Sequence, residues 1–431
     1  MIRLSNRFSA LVFFVPLCMF AAEIHPQSDS FKVIKVPSVD PGPVSSTGVL
    51  SDGTLYVAGK NGRNTDGSIP KDFQQEVGQS LRNVQKVLQA AGMDYGNVVW
   101  LNIFVANGQD LAAMNHVYWQ TIGANPPARS VLVVGGLLGG ESIEINCIAV
   151  SNSSGRKVIW PQGWPRGPRI DPPGIQAGEM LYMSAQKGVN PATGQLVGDY
   201  AGEVKQALDN VGTILKTANM SMANVVWVNP YMASTEANMG SQTAPGPIGH
   251  NGQQQQPQAA VMNKIYATYF EFGNTPGRGT MQMVDLPDQA HIVFSCIAGA
   301  DLSKRKSIRP KNMPLSPTAS PGILYGDTYY MSGKSGFIPD QGIVTPDVEL
   351  QLRQSMRNLL DDLQETDLDF SDVVSATIYL REMKDMDKVQ TLYGTFFKDR
   401  FPARTTMQNS FDMKTSTAEQ ISFIAVRQPK H

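Results

Sequence analysis

Cysteine, histidine and positive charge are all scarce in this 431-residue chain, and each shortage removes a class of function. There are three cysteines. Cys18 lies in an apolar N-terminal stretch, which leaves Cys147 and Cys296 at matching places in strand-like runs. Such a pair reads as apolar packing rather than as a disulfide or a nucleophile. The five histidines, His25, His116, His250, His291 and His431, are scattered without metal-ligand spacing. A net charge of −1 makes a poor grip for a phosphate backbone, so no nucleic-acid partner is expected. The basic run Lys304-Arg305-Lys306, with Arg309 and Lys311 nearby, reads as a solvated linker. No Ser-His-Asp arrangement and no glycine-rich phosphate loop stands out, and no cofactor is implied.

One pattern is present three times, at a period of roughly 120 residues. A strand ends in Leu55-Tyr56-Val57-Ala58-Gly59, in Leu181-Tyr182-Met183-Ser184-Ala185 and in Tyr329-Tyr330-Met331-Ser332-Gly333. A helix-spaced apolar set follows: Val77/Leu81/Val84/Leu88, Val204/Leu208/Val211/Leu215 and Leu352/Met356/Leu359/Leu363. Next come Asn97-Val98-Val99-Trp100, Asn224-Val225-Val226-Trp227 and Asp372-Val373-Val374-Ser375, then Pro127/Arg129, Pro276/Arg278 and Pro402/Arg404. Val77 and Arg129 stand 52 positions apart, as do Leu352 and Arg404, whereas Val204 and Arg278 stand 74 apart. The second copy therefore holds a 22-residue insertion, placed within 232–259. Its Gly246-Pro247-Ile248-Gly249 and glutamine run Gln253 to Gln256 read as a loosely packed loop.

These spacings predict three α+β units of order β-β-α-β-α-β-β at 33–151, 157–300 and 313–428, with helices on one sheet face. The run Val131-Leu132-Val133-Val134 is apolar without alternation, so the other sheet face needs a partner. The three copies supply one another, as a homotrimer would, which predicts a monomeric pseudo-trimer closed into a barrel. Ahead of them, Arg3 and Arg7 precede an apolar stretch from Ala10 to Ala22. That layout predicts a signal peptide over 1–22, a secreted or periplasmic protein, and a membrane role limited to export. The stretch is too short for a span, which takes ~20 apolar residues.

The residues resemble the RidA (YjgF) family of imine deaminases, also described as L-PSP endoribonuclease-like, over essentially the whole mature chain. The most specific pieces are Leu181 to Gln186 with Asn190-Pro191-Ala192-Thr193-Gly194, Phe401-Pro402-Ala403-Arg404-Thr405, and Ser142 to Val150. The resemblance implies a chorismate-mutase-like fold, a trimeric barrel and ligand clefts between neighbouring copies. It implies that Arg129, Arg278 and Arg404 bind a substrate carboxylate, which suits the planar guanidinium fork. It also implies a water-orienting glutamate fifteen residues later. That position is Glu144 in copy one, Val293 in copy two and Gln420 in copy three, beside Glu419. Other family positions are Asn115, Asn263 and Gln390; Ala58, Ser184 and Ser332; Val131, Thr280 and Thr406; and Val44, where the family carries a tyrosine.

The expected activity is hydrolysis of a small 2-imino or enamine acid to the 2-keto acid and ammonia. Arg129 and Glu144 are the expected catalytic pair. Arg278, Arg404, Asn115, Ser184, Ser332 and Gln420 are expected to bind substrate. A non-catalytic binder of small carboxylate metabolites, or a partner-binding scaffold, is the alternative.

Overall fold

The computed structural model describes residues 31–234, 257–311, 313–338, 341–343, 345–410 and 417–428. The expected signal at 1–22 lies outside the described residues, and so does most of the expected insertion.

Unit one runs β1 (Lys32–Ile34), β2 (Gly48–Ser51), β3 (Thr54–Asn61), α1 (Phe73–Ala90), β4 (Val98–Val105), α2 (Leu111–Ile122), β5 (Ala128–Val133), β6 (Gly136–Leu137) and β7 (Ile143–Val150). Its sheet has the order β1-β2-β3-β7-β4-β5, antiparallel except for the parallel β4/β5 pair. Units two and three repeat the two helices and the main strands.

Local sequence explains the recurrence. Each long helix starts on an aspartate whose side chain accepts from a backbone N–H three residues on: Asp72 from Gln75, Asp199 from Gly202, Asp347 from Leu350. The apolar set of each helix is fully buried. Period-two alternation then sends strand residues to two different cores. Leu55, Leu101 and Cys147 face the unit's own helices, and Tyr56, Trp100 and Ile148 face the other way. Cys147 and Cys296 are buried free thiols, consistent with packing.

The outward residues meet across units. Tyr56, Tyr182 and Tyr330, with Trp100, Trp227, Ile148, Ile297 and Ile424, form one buried cluster drawn from all three sheets. Backbone bonds stitch the seams: Ala185 N to Arg129 O at 3.1 Å, Gly333 N to Arg278 O at 3.0 Å, and Ser46 N to Pro402 O at 3.0 Å. β6 leaves its own sheet and pairs with the strand Ala403–Gln408 of unit three. Among the described residues the sheets remain separate ladders, and no single closed sheet forms.

Each unit opens with an edge strand that sequence spacing does not reveal, at Lys32–Ile34, Arg156–Ile159 and Arg305–Ile308. The supposed basic linker is therefore structure. Arg305 donates to Val225 O at 3.1 Å and to Asn274 Oδ1 at 2.5 Å, and Lys304 is ion-paired with Glu179. Among the described residues no helix is long and apolar enough to cross a membrane.

Candidate functional site

Arg129, Arg278 and Arg404 occupy equivalent places at the three seams between units, each seam forming one candidate cleft. In each case the guanidinium lies over a buried tyrosine of the unit's second helix. The distances to the ring centroid are 4.2 Å (Tyr118), 5.1 Å (Tyr266) and 5.5 Å (Tyr393). A ring face holds a cation without using its donors, so the fork stays available. Sequence spacing did not mark these tyrosines as a platform for arginine.

The arginine backbone N–H is fixed from the neighbouring unit. Arg129 N donates to Ser184 Oγ at 2.9 Å and Arg278 N to Ser332 Oγ at 2.8 Å. Ala58 has no hydroxyl for the third cleft. Ser45, on a different loop, supplies it instead, accepting from Arg404 N at 3.2 Å.

Beyond that frame the clefts differ. In the Arg129 cleft, Nε and Nη2 donate to Asp171 Oδ2 at 3.0 and 2.8 Å, and Nη1 donates to Asn115 Oδ1 at 2.8 Å. The fork is thus spent on an internal carboxylate from unit two. In the Arg278 cleft, Nη1 donates to Asn263 Oδ1 at 2.7 Å, and among the described residues no carboxylate is ion-paired with this guanidinium. Burial pulls Arg278 below its usual range. Gln420 reaches in here: a Cβ at Gly333 would stand 2.0 Å from its Nε2, so only glycine leaves room.

The Arg404 cleft contains Glu144. Arg404 Nη2 donates to Pro43 O at 2.8 Å. Glu144 accepts from the Thr406 backbone N–H and interacts electrostatically with Arg404. Gly59 makes the space, since a Cβ there would stand 1.5 Å from Glu144 Oε1. Burial, then nearby Glu141, pushes the Glu144 carboxyl up to about 8, with Lys60, Arg404 and the Thr406 bond opposing. Arg404 Nη1, Thr406 Oγ1 and Gln390 Oε1 are buried and find no partner among the described residues. A buried polar atom in that state needs a bound water, an ion or a ligand to satisfy it.

The family model described as Endoribonuclease L-PSP matches residues 40–151, 172–244 and 314–425. The chain belongs to this RidA/L-PSP family, as three tandem copies. Among curated relatives, the 2-iminobutanoate/2-iminopropanoate deaminase of Rattus norvegicus is 36% identical over 107 residues, covering 24% of this chain and 78% of that protein. The Capra hircus deaminase of the same name is 37% identical over 111 residues, covering 25% and 80%. Among solved structures, E. coli TdcF with bound serine is 29% identical, with a TM-score of 0.26 over 28% of this chain and 98% of that one.

For this three-copy RidA/L-PSP chain, the expected pairing of Arg129 with Glu144 needs correction. The clefts lie between units, so the glutamate of unit one faces the arginine of unit three. Arg129 instead meets unit two, where the equivalent position is Val293, in register with Tyr231. The ladders confirm the alignment of that position: Glu144 pairs with Phe104 and Gln420 with Tyr379. Asn115, Ser184 and Ser332 do bond the arginines, as described above. Asp171, Ser45 and the tyrosines were missed.

Glu419 turns away from the cleft and accepts from Ser355 Oγ at 2.5 Å in the helical core. Burial pushes it up to about 8 from an ordinary 4.5. Between those values the folded chain keeps a proton that the unfolded chain has shed, so stability falls as pH rises through that window. Glu419→Gln should shrink this loss. Thermal midpoints at pH 5 and pH 8.5 should drop less in the variant than in the wild type, and equal drops would refute the assignment.

Proposed function

We propose that this protein hydrolyses small 2-imino acids to 2-keto acids and ammonia, and that the Arg404–Glu144 cleft does the work. The supporting observation is the meeting, at one seam, of a buried guanidinium, one nitrogen of which has no partner among the described residues, with a carboxyl whose pKa burial pushes up to about 8. Arg404 Nη1 and Thr406 Oγ1 take the substrate carboxylate, which positions the C=N carbon for attack. Glu144 in its ionised form accepts a proton from water as the oxygen adds to that carbon. Glu144 returns that proton to the nitrogen, giving a carbinolamine. The carbinolamine hydroxyl then passes its own proton by way of Glu144 to the nitrogen as the carbon–nitrogen bond breaks, which leaves the C=O of the 2-keto acid and releases ammonia. No cofactor takes part. An amino-acid oxidase can generate 2-iminobutanoate in situ, and its decay should accelerate when the protein is added. Equal decay with and without the protein would defeat the reading.

A second reading applies to the Arg278 cleft. Among the described residues its guanidinium has no carboxylate partner, and Gln420 can orient water but cannot take a proton at ordinary pH. This cleft binds a small carboxylate without turning it over.

We further propose that the units close as a pseudo-trimeric barrel and that the chain is monomeric. The three-way core and the bonds at all three seams support this. Sedimentation should give a single species of chain mass, and a stable trimer of chains would overturn it. Export is proposed on the character of residues 1–22. A peptide map of protein from the periplasm or medium should lack roughly that segment, and an intact N-terminus on cytosolic protein would count against it.

A further inference from the structure

The Arg129–Asp171 pair lines two surface cavities, one of which carries Trp160 and Trp164. That cavity measures about 270 Å³ and is bounded by Trp160, Trp164, Pro165, Ile170 and Pro173 around Asp171. Two buried polar atoms on its lining residues find no partner among the described residues: Asp171 Oδ1, an acceptor, and Trp160 Nε1, a donor. Asp171 Oδ2 is already held by Arg129. Lys187, which also lines the cavity and acts electrostatically on Asp171, is ion-paired with Asp288, and Arg166 sits over the Trp160 ring at 5.1 Å. The cleft therefore offers an arriving molecule a carboxylate oxygen and apolar walls, while its guanidinium is already spent.

A carboxylate ligand cannot use this arginine, and it would meet the Asp171 oxygen as a like charge. A ligand carrying an ammonium group meets the reverse: a charge-assisted bond at Asp171 Oδ1, with its apolar body against Trp164 and the two prolines. We propose that this third cleft is a binding site for a small primary amine with an apolar or aromatic body. The site has opposite charge preference to the other two clefts, and Asp171 sets that preference. It does not depend on turnover at Arg404, so failure of the deaminase reading would leave it standing.

The test pairs two molecules of nearly equal shape and opposite charge, phenethylamine and 3-phenylpropionate. They are titrated by calorimetry into the full chain and into Asp171→Asn, Asp171→Ala and Trp164→Ala variants, each checked for a native circular-dichroism spectrum. Wild type should bind one phenethylamine per chain. Asp171→Asn should weaken that binding at least tenfold, and Trp164→Ala should also weaken it. Asp171→Ala should lose the amine and gain an additional 3-phenylpropionate site, because Arg129 is released. If the Asp171 variants do not fold, the Trp164→Ala result decides. Absence of phenethylamine binding, or binding unchanged by these substitutions, would overturn the proposal.

Discussion

Arg404→Ala is expected to lower kcat/KM for 2-iminobutanoate by about 10² to 10³. Removing one member of a buried charge pair costs on the order of 2–5 kcal/mol, because the remaining charge is left unpaired. Here two charges lose a partner, the substrate carboxylate and Glu144, which now lies beside Arg404 in a site where both are about 5% exposed. Glu144→Gln should behave differently. The amide keeps the shape and still accepts from Thr406 N, so KM should change little while kcat falls by about 10² to 10⁴, the usual reach of general acid–base catalysis. The pH profile separates the two variants. With the carboxyl held up to about 8, the wild-type rate should climb as pH rises and level off above that value. Arg404→Ala should keep a sloping profile, whereas Glu144→Gln should flatten it. Stopped assays of imine decay between pH 6 and pH 9.5 would measure both effects. A full rate in either variant would remove this cleft from the chemistry.

Trp227→Ala is expected to cost about 3–5 kcal/mol of stability, the usual range for a large aromatic removed from a packed core. Trp227 is 6% exposed and lies edge-on to Trp100, with ring centroids 6.0 Å apart. Its Nε1 also donates to Met331 O of unit three at 3.2 Å, so the substitution leaves that buried carbonyl short of a donor. Trp100 sits in the same cluster, but its Nε1 has no partner among the described residues. Trp100→Ala should therefore cost less, by roughly the 1 kcal/mol of one net hydrogen bond. Urea titrations of the two variants give the comparison directly. Equal midpoints would mean that the Trp227 bond to unit three carries no stability.

The fold was largely legible because its signals are local. Helix spacing and the short strand motifs act within a few residues, and triplication repeats each signal three times. Val77, Leu81 and their equivalents are buried as their spacing predicts. The clefts were less legible because they are assembled between units. Counting along one unit joins Arg129 to Glu144, yet in the structure the two belong to different seams. Asp171 and Ser45 act from irregular loops, where no periodicity marks a residue that turns into a neighbour. The edge strand Arg305–Ile308 was hidden for another reason: four residues with two charges look like solvated chain until a partner strand is placed beside them. Glu419 and Gln420 are adjacent in sequence, and only strand register tells which of them faces the cleft.

The short strand β6 has a consequence for the order of events during synthesis. Leu137 of unit one pairs with Met407 of unit three, some 270 residues further along the chain. At the usual 5–20 residues per second, the ribosome needs on the order of 15 to 50 seconds to cover that distance. Throughout that interval unit one has emerged with β6 unpaired, and the Glu144 side of the Arg404 cleft has no opposite wall. The last unit made must dock onto the first one made, so the cleft proposed to be catalytic cannot close until the whole third unit has been synthesised.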